Sequence, residues 1–295
     1  MAGNLSDVSA VDALMKRGKT TMNSKWAEGV PDYVSEYSLT AEHIPALIEA
    51  ATNWVEYSSD DHEVYGQVHA WRALGQMRAV EAVQPLLDVQ DELDELQDDW
   101  YLEEFHLVFG LIGPPAIDQL ATFLADDRHR EFPRQNAGSG LAEIARRFPE
   151  TRGQVLSILT AELGRHEGDG EFNGHMISNL LDLDAIEAAE HIERAFAANA
   201  VDPTIAGHWG DVRRELGVSG LGLAPDESPG WTTIGERMGI NPKIGLFGSA
   251  SPVVDPAAEE RKRVLALKKL EDAKRQLKAK RKQQKMNKKR NRRPR

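Results

Sequence analysis

The chain has 295 residues, of which 41% are hydrophobic and none is cysteine, so it can bury a sizeable core but cannot form disulfides, thiolate zinc sites or thiol nucleophiles. Its net charge of −11 is unevenly distributed. Residues 257–295 hold 18 Lys or Arg and 4 Asp or Glu, a net charge of +14, which leaves 18 basic and 43 acidic residues, a net charge of −25, in residues 1–256. The acidic body and the basic tail therefore need separate explanations.

The first 39 residues are polar and irregular, and we predict a loose N-terminal arm with one short helix near residues 8–16. The start of the chain lacks the basic segment and long apolar run of a signal peptide. No stretch approaches the roughly 20 apolar residues that cross a bilayer. We therefore expect a cytoplasmic protein without a transmembrane segment.

From residue 40 to residue 217 the sequence repeats one pattern, an apolar run followed by a short break and another apolar run. Thr40 is a typical helix N-cap, and Gly113-Pro114-Pro115 ends one run and begins the next. Within the runs apolar residues recur at helical spacing, as in Ile44, Leu47, Ile48 and Ala51. Because no period-2 alternation persists for the length of a strand, the sequence predicts an all-α fold.

The helical runs recur with a regular period. Equivalent positions at Leu74, Ile112, Ile144 and Leu181 are 38, 32 and 37 residues apart. This spacing is typical of two-helix repeats, in which each unit buries its apolar face against its neighbours.

Residues 73–87 read Ala-Leu-Gly-x-x-x-Ala-Val-x-x-Val-x-Pro-Leu-Leu, with Pro85 inside the helical run. With this segment as its best match, the region 40–217 resembles the HEAT-like repeat family, including the divergent repeats of the phycobilisome-lyase type. The resemblance implies an α-solenoid of about four to five helical hairpins. It does not carry the lyase activity over, because no residue of this chain can be matched to bilin attachment.

Two segments follow the predicted repeats. Residues 218–256 are rich in Gly and Pro, which predicts a linker. Residues 257–295 begin as a Lys- and Arg-rich helix or form a disordered tail. Heptad spacing runs from Ala266 to Leu277 and stops at Lys280, which is too short for a coiled coil.

The basic tail is the sharpest functional feature of the sequence. Its cations would attract phosphates without reading base sequence, and such binding weakens with salt. RNA, ribosomes or DNA are possible targets; alternatively the tail folds back on the acidic body, or has no specific partner. The predicted polyanion-binding residues are Lys278, Lys280, Arg281, Lys282, Lys285, Lys288, Lys289, Arg290, Arg292 and Arg293.

Two features of the body are also candidates for binding. Residues 88–99 carry seven carboxylates, which we predict to lie in a solvated loop between repeats. The adjacent pair Trp100-Tyr101 is the aromatic pair that we expect to be exposed, and we predict that it contacts a protein partner.

No catalytic, cofactor-binding or metal-binding residue is predicted. Glu103-x-x-His106 has the spacing of one di-iron ligand pair, but the second pair and the further Glu ligands of such a site are missing. No nucleophile-elbow, P-loop or dinucleotide-binding glycine pattern occurs in its strand–turn–helix context.

The sequence thus favours a non-enzymatic scaffold with an acidic helical-repeat body, which binds a protein partner, and a polycationic tail that contacts RNA, a ribosome or another polyanion. Two alternatives stay open. One is a lyase-like or chromophore-handling repeat protein, and the other is a self-neutralised protein without a nucleic-acid partner.

Overall fold

The computed structural model of the chain describes residues 5–21, 30–53, 65–165 and 170–218. Every regular element in these ranges is helical, which confirms the all-α fold class for them. The helices are α1 (Leu5–Met15), α2 (Tyr33–Glu36), α3 (Ile44–Thr52), α4 (Gly66–Gln76), α5 (Val83–Asp88), α6 (Gln90–Glu95), α7 (Asp99–Ile112), α8 (Ile117–Leu124), α9 (Glu131–Arg147), α10 (Arg152–Arg165), α11 (Gly170–Leu181), α12 (Ala189–Ala197), α13 (Pro203–Ala206) and α14 (Trp209–Glu215). The predicted linker beyond residue 218 and the predicted tail at 257–295 lie outside the described residues.

Short 3-10 turns lead directly into α3, α5, α8, α10 and α12. They are Ala41–His43, Val80–Ala82, Pro114–Ala116, Pro149–Thr151 and Ile186–Ala188. Their first residues are 39, 34, 35 and 37 positions apart, which is the period of a two-helix unit. In each turn the third residue is buried and the second is exposed, so the same local geometry recurs along the chain.

The helices contact one another in two series, which we call the first and second rows. In the first row α1 packs on α4, α4 on α7, α7 on α9, α9 on α11 and α11 on α13. In the second row α3 packs on α5, α5 on α8, α8 on α10, α10 on α12 and α12 on α14. The rows contact each other through the pairs α3–α4, α8–α9 and α10–α11.

One hydrophobic cluster extends through both rows, from Val11 on α1 to Leu216 after α14. Aromatic rings pack edge to face at the contact between α4 and α7. The ring centroids of Trp71 and Phe105 are 5.0 Å apart, and those of Phe105 and Phe109 are 6.1 Å apart. The apolar residues that recur at helical spacing in the sequence therefore lie on the helix faces that are buried in this core.

The sharp bend between α7 and α8 occurs at the predicted Gly-Pro-Pro break. Gly113 has a φ of +88°, a conformation that glycine adopts without steric cost, and Pro114 and Pro115 open the next turn, where no amide hydrogen is needed. No single helix in the described ranges has the length and apolar composition of a membrane span. Trp100–Ile112 and Pro114–Leu124 reach both only when taken together, across a bend of 114°.

Glycines allow α7 and α9 to cross closely. A Cβ atom on Gly110 would lie 2.1 Å from Cγ of Glu143, and one on Gly140 would lie 3.2 Å from Cβ of Phe109. Real Cβ atoms do not approach another atom as closely as the first distance. The crossing therefore requires the absence of a side chain at Gly110.

Several helices end at a left-handed residue that is not glycine. After α6, Gln97 has a φ of +54°; the amide of Asp98 donates to the carbonyl of Leu93 at 3.1 Å, and that of Gln97 donates to Asp94 at 3.0 Å. This pairing is a Schellman motif, in which glycine avoids the steric cost of the left-handed conformation. Arg78 ends α4 in the same conformation, with a φ of +53°.

The described part of residues 1–39 is not the loose arm that its polar sequence predicts. Val11 and Leu14 on α1, together with Tyr33 and Leu39, are buried in the common core cluster. The short helix predicted near the N-terminus is present as α1. A few well-placed apolar side chains are enough to dock this segment, because α4 supplies polar partners for its backbone.

Candidate interaction surfaces

The second row carries exposed carboxylates at related positions. The middle residue of the 3-10 turn is Glu before α3, α5, α10 and α12, near the positive end of the helix dipole. The exposed Asp and Glu residues on the turns and helices of this row are Glu42, Glu49, Glu81, Asp88, Asp118, Glu150, Glu187, Glu190, Asp211 and Glu215. The row thus presents carboxylates to solvent from α3 to α14.

Arg152 pairs with one of these carboxylates. Its Nη2 donates to Glu187 Oε2 at 3.0 Å and to the carbonyl oxygens of Leu183 and Asp184 at 3.1 and 3.2 Å. The hydrogen bond from Arg152 lowers the pKa of Glu187 to about 2. The contact joins the start of α10 to the turn before α12, and its exposure keeps the energy of the pair small.

The acidic segment 88–99 is not the solvated loop that its composition predicts. α5 ends at Asp88 and is followed almost directly by α6. Asp98 is buried and caps α7, accepting from the amides of Trp100 at 3.0 Å and Tyr101 at 3.1 Å. The segment is largely helical because its carboxylates find donors within the fold.

Two further carboxylates of this segment hold the loop before α9. Asp91 accepts from the amide of Arg130 and hydrogen-bonds Nδ1 of His129, both at 2.8 Å, while Asp94 pairs with the Arg130 side chain. The His129 ring stacks on Phe123 with centroids 3.8 Å apart. Part of the acidic charge is therefore used inside the fold rather than offered to a partner.

The prediction that Trp100 and Tyr101 are exposed is wrong for Tyr101. Its side chain is fully buried, its hydroxyl donates to Asp94 at 3.0 Å, and burial raises its pKa. Trp100 is half-buried, with its ring edge-on to Tyr65 at 5.8 Å and 6.0 Å from the Arg72 guanidinium. Helical geometry explains the error, because adjacent residues on α7 point to different sides.

The ten tail residues predicted to contact a polyanion, from Lys278 to Arg293, all lie outside the described residues. Their role stays a prediction that follows from the charge of the sequence.

A buried ion pair joins α4 to α7. Arg72 and Glu104 are 1% and 0% exposed, and the guanidinium donates to both carboxylate oxygens, from Nε at 2.7 Å and from Nη2. Trp71 Nε1 donates to the same carboxylate at 3.1 Å. Burial alone lowers the pKa of Arg72, but the hydrogen bond and charge of Glu104 raise it above its ordinary value. Either charge alone would be uncompensated in the core.

Arg72 also holds the N-terminal strap, which we define as residues 10–21 and 30–39. Its Nη1 donates to the hydroxyl of Thr20 at 2.7 Å, and its Nη2 donates to the carbonyl oxygen of Thr21 at 2.8 Å. One guanidinium therefore contacts both the α7 carboxylate and the backbone of the strap.

Two other α4 side chains continue this contact. His69 Nε2 lies 2.9 Å from the carbonyl oxygen of Gly18, so it carries the proton, and the Tyr33 hydroxyl donates to Nδ1 at 2.7 Å. Burial lowers the pKa of His69 to about 4, so the ring is held neutral. Gln76 Nε2 donates to the carbonyl oxygen of Pro31 at 2.8 Å and its Oε1 accepts from the amide of Tyr33 at 2.9 Å.

A second polar cluster lies where α7, α9 and α11 meet. Glu143 is buried and accepts from Nε of Arg146 at 2.9 Å and Nε of Arg147 at 2.7 Å. Desolvation lowers the pKa of His106 and raises that of Asp182 relative to their ordinary values. The cluster neutralises one buried carboxylate and leaves a partly exposed polar patch on the first row.

The described residues do not assemble a metal site. Glu103 is exposed and His106 is half-buried on α7, and no group of three or more His, Asp or Glu side chains in the described ranges is placed to hold a metal ion. A cavity of about 260 Å³ opens between α10 and α12, and its titratable or charged groups are His191 and Arg194. This cavity offers a recess for a small group rather than a set of converging acids and bases.

Comparisons of the chain with known protein families, with curated proteins and with solved structures find no match. The resemblance to HEAT-like repeats therefore depends on the residues of the chain itself, and it is a proposal about its class rather than an identification.

The sequence did not reveal the polar face of α4. His69, Arg72 and Gln76 are three and four residues apart, as on the solvent side of any amphipathic helix. Their burial depends on a strap about 50 residues earlier in the chain, which no local pattern connects to α4. The sequence shows only a polar helix face next to an apolar one, and that pattern fits a solvent-exposed face as well as a buried one.

Proposed function

We propose that this chain is a non-enzymatic protein-interaction scaffold of the HEAT-like α-solenoid class, in which the carboxylates of the second row receive a basic protein partner and the tail contacts a polyanion such as RNA or a ribosome. The observation that carries the proposal is the division of charge. Residues 1–256 have a net charge of −25, and the second row exposes carboxylates at a recurring turn position, whereas residues 257–295 have a net charge of +14.

The assignment to a repeat class is supported by the two rows and by the recurring turns. Each helix of a row packs on the next one along the chain, and the 3-10 turns recur every 34 to 39 residues. Stacked two-helix units combine contacts between neighbouring helices with a period of this length. Such stacks offer extended surfaces, which suits a scaffold.

The second row is the surface that we assign to a basic partner. Its exposed carboxylates include Glu81 and Glu150, which occupy the middle position of the turns before α5 and α10. The ten exposed carboxylates of the second row outnumber its exposed cations Arg165, Arg194 and Arg214. Such an excess of one sign of charge steers an oppositely charged partner and raises the rate of association. The effect weakens as salt increases.

The surface can be tested with two variants of equal charge change in the full chain. Glu81→Lys with Glu150→Lys alters the second row, and Glu103→Lys with Glu171→Lys alters exposed carboxylates of the first row. After affinity purification from cells that make the protein, mass spectrometry should show basic partners lost only from the second-row variant. Equal loss from both variants would indicate a nonspecific effect of net charge and would contradict the assignment.

The tail can be tested by deleting residues 257–295 and measuring the binding of a single-stranded RNA at 50 and 200 mM salt. We expect the full chain to bind RNA at low salt and to lose about 100-fold or more in affinity at high salt, because each neutralised phosphate releases counterions. The shortened chain should not bind. RNA binding that survives the deletion, or no binding by the full chain, would rule out this role.

Self-neutralisation is a second candidate, because the exposed carboxylates of the second row could hold the tail of the same chain. Small-angle scattering of the full chain at low and high salt separates the two functions. A tail held by the body would be released by salt and increase the radius of gyration, whereas a free tail would not change it in that direction.

A further inference from the structure

The polar face of α4 binds the backbone of the N-terminal strap. His69, Arg72 and Gln76 lie on one face of the helix, while Trp71 and Leu74 face the core. All three polar side chains are directed at the N-terminal strap and bond to it. They are covered because the strap lies over them.

Most of these bonds reach main-chain atoms of the strap. The acceptors are the carbonyl oxygens of Gly18, Thr21 and Pro31, and the amide of Tyr33 donates back to Gln76. Carbonyl and amide groups are present in every sequence, so these bonds recognise the backbone of the strap more than particular side chains.

Two residues of the strap add selectivity. Tyr33 is fully buried and its hydroxyl bonds to His69, so it is the aromatic anchor. Gly18 has a φ of +93°, which presents its carbonyl to His69 in a conformation that a side chain would disfavour. At the surface, Arg17 closes the strap through an exposed ion pair with Glu36.

We propose that the α4 face is a peptide-binding groove, that the N-terminal strap is its occupant within the same chain, and that a peptide with a glycine and a tyrosine in the positions of Gly18 and Tyr33 can replace it. The strap then controls access to the groove. This inference does not depend on the proposed function, since the groove lies on the first row and involves neither the second-row carboxylates nor the tail.

The full chain with Gly18→Val tests the proposal. A β-branched residue at positive φ is strongly disfavoured, so the strap is weakened without a change in α4. Gly217→Val is the matched control, because Gly217 also has a positive φ, +68°, at the other end of the described body and a Cβ there meets no atom within 4 Å. The probe is a fluorescent peptide with the sequence of residues 10–40.

We expect the peptide to bind the Gly18→Val chain at least tenfold more tightly than it binds the wild type or the Gly217→Val chain, by fluorescence anisotropy. Adding Gln76→Leu to Gly18→Val should weaken peptide binding at least tenfold, because two backbone contacts are lost. A folded Gly18→Val chain that binds no better than the Gly217→Val chain would overturn the proposal, as would binding insensitive to Gln76→Leu.

If Gly18→Val does not fold, Arg17→Ala with Glu36→Ala opens the strap at its exposed ion pair instead. Both side chains are partly exposed, at 27% and 46%, and the Arg17 guanidinium lies 5.6 Å from the Tyr33 ring, so the double variant loosens the strap without changing α4. The same gain in peptide binding is expected, and its absence in this folded double variant would also overturn the proposal.

Discussion

Ion pairs in two regions of the described body, the contact between α4 and α7 and the surface of the second row, differ in burial. At α4 the charges are buried, and Arg72 and Glu104 are 1% and 0% exposed and bonded to several partners. On the second row Arg152 and Glu187 form a similar pair at 32% and 55% exposure. Because the first pair is removed from water, removal of one partner strongly lowers the free energy of unfolding. The second pair stays solvated, so its loss changes that free energy little. Burial, more than the presence of an ion pair, decides which charges fix the fold and which stay available to a partner.

The largest expected effect is from breaking the buried pair. Glu104→Gln leaves Arg72 without its counter-charge, and we expect the free energy of unfolding to fall by about 3–5 kcal/mol. Glu187→Gln is the matched change at the exposed pair and should cost at most about 1 kcal/mol. Urea unfolding of both full-chain variants measures the difference. Similar losses in the two variants would contradict the contrast between the two regions.

The pH dependence of stability should reflect the buried polar face of α4. The unfolded pKa of His69 is 6.5 and the folded pKa is about 4, so its contribution is complete above pH 6.5 and is lost as the pH falls toward 4. The unfolded chain takes up the proton first, which removes about 3 kcal/mol of stability across this window. Urea unfolding between pH 7 and pH 4 should show this loss in the wild type and in a His191→Gln control, but not in His69→Gln. An unchanged pH slope in His69→Gln would contradict the role of the buried ring.

The α7–α9 contact extends the comparison to apolar packing. Gly110→Ala places a Cβ against Glu143 and should destabilise the chain by about 1–3 kcal/mol, because the helices must separate. Gly153→Ala on α10 meets no atom within 4 Å and should be neutral or stabilising by up to about 1 kcal/mol. Thermal unfolding of the two variants gives opposite signs if the crossing is limited by contact distance, and equal signs would show that it is not.

The smallest expected effect is at a helix end. Gln97→Gly removes the strain of a side chain at positive φ and should stabilise the chain by about 1 kcal/mol. Gln97→Ala keeps a Cβ at that position and should give no such gain. A rise in the midpoint of urea unfolding for both variants would mean that the loss of the Gln side chain, rather than backbone strain, is responsible.

Local sequence patterns predicted the helices and the break at Gly113, because apolar spacing and proline chemistry act within a few residues. They failed where distant segments meet. Tyr101 is buried because it lies on a different side of α7 from Trp100. The strap is docked because Arg72, about 50 residues further along the chain, bonds to Thr20. The acidic segment before α7 became helical through partners at Arg130 and within its own caps. Partner positions of this kind are properties of the folded arrangement rather than of any window of sequence.

The contacts of the strap also constrain the order in which segments of a nascent chain can fold. Thr20 is synthesised before Arg72, which holds it, and before Glu104, which keeps Arg72 in place. At about 5–20 residues per second, the interval between Thr20 and Glu104 lasts roughly 4–17 s. Until α4 and Glu104 have both been made, Gly18 and Tyr33 lack the complete site that binds them, so a nascent chain offers this segment to any other binder first.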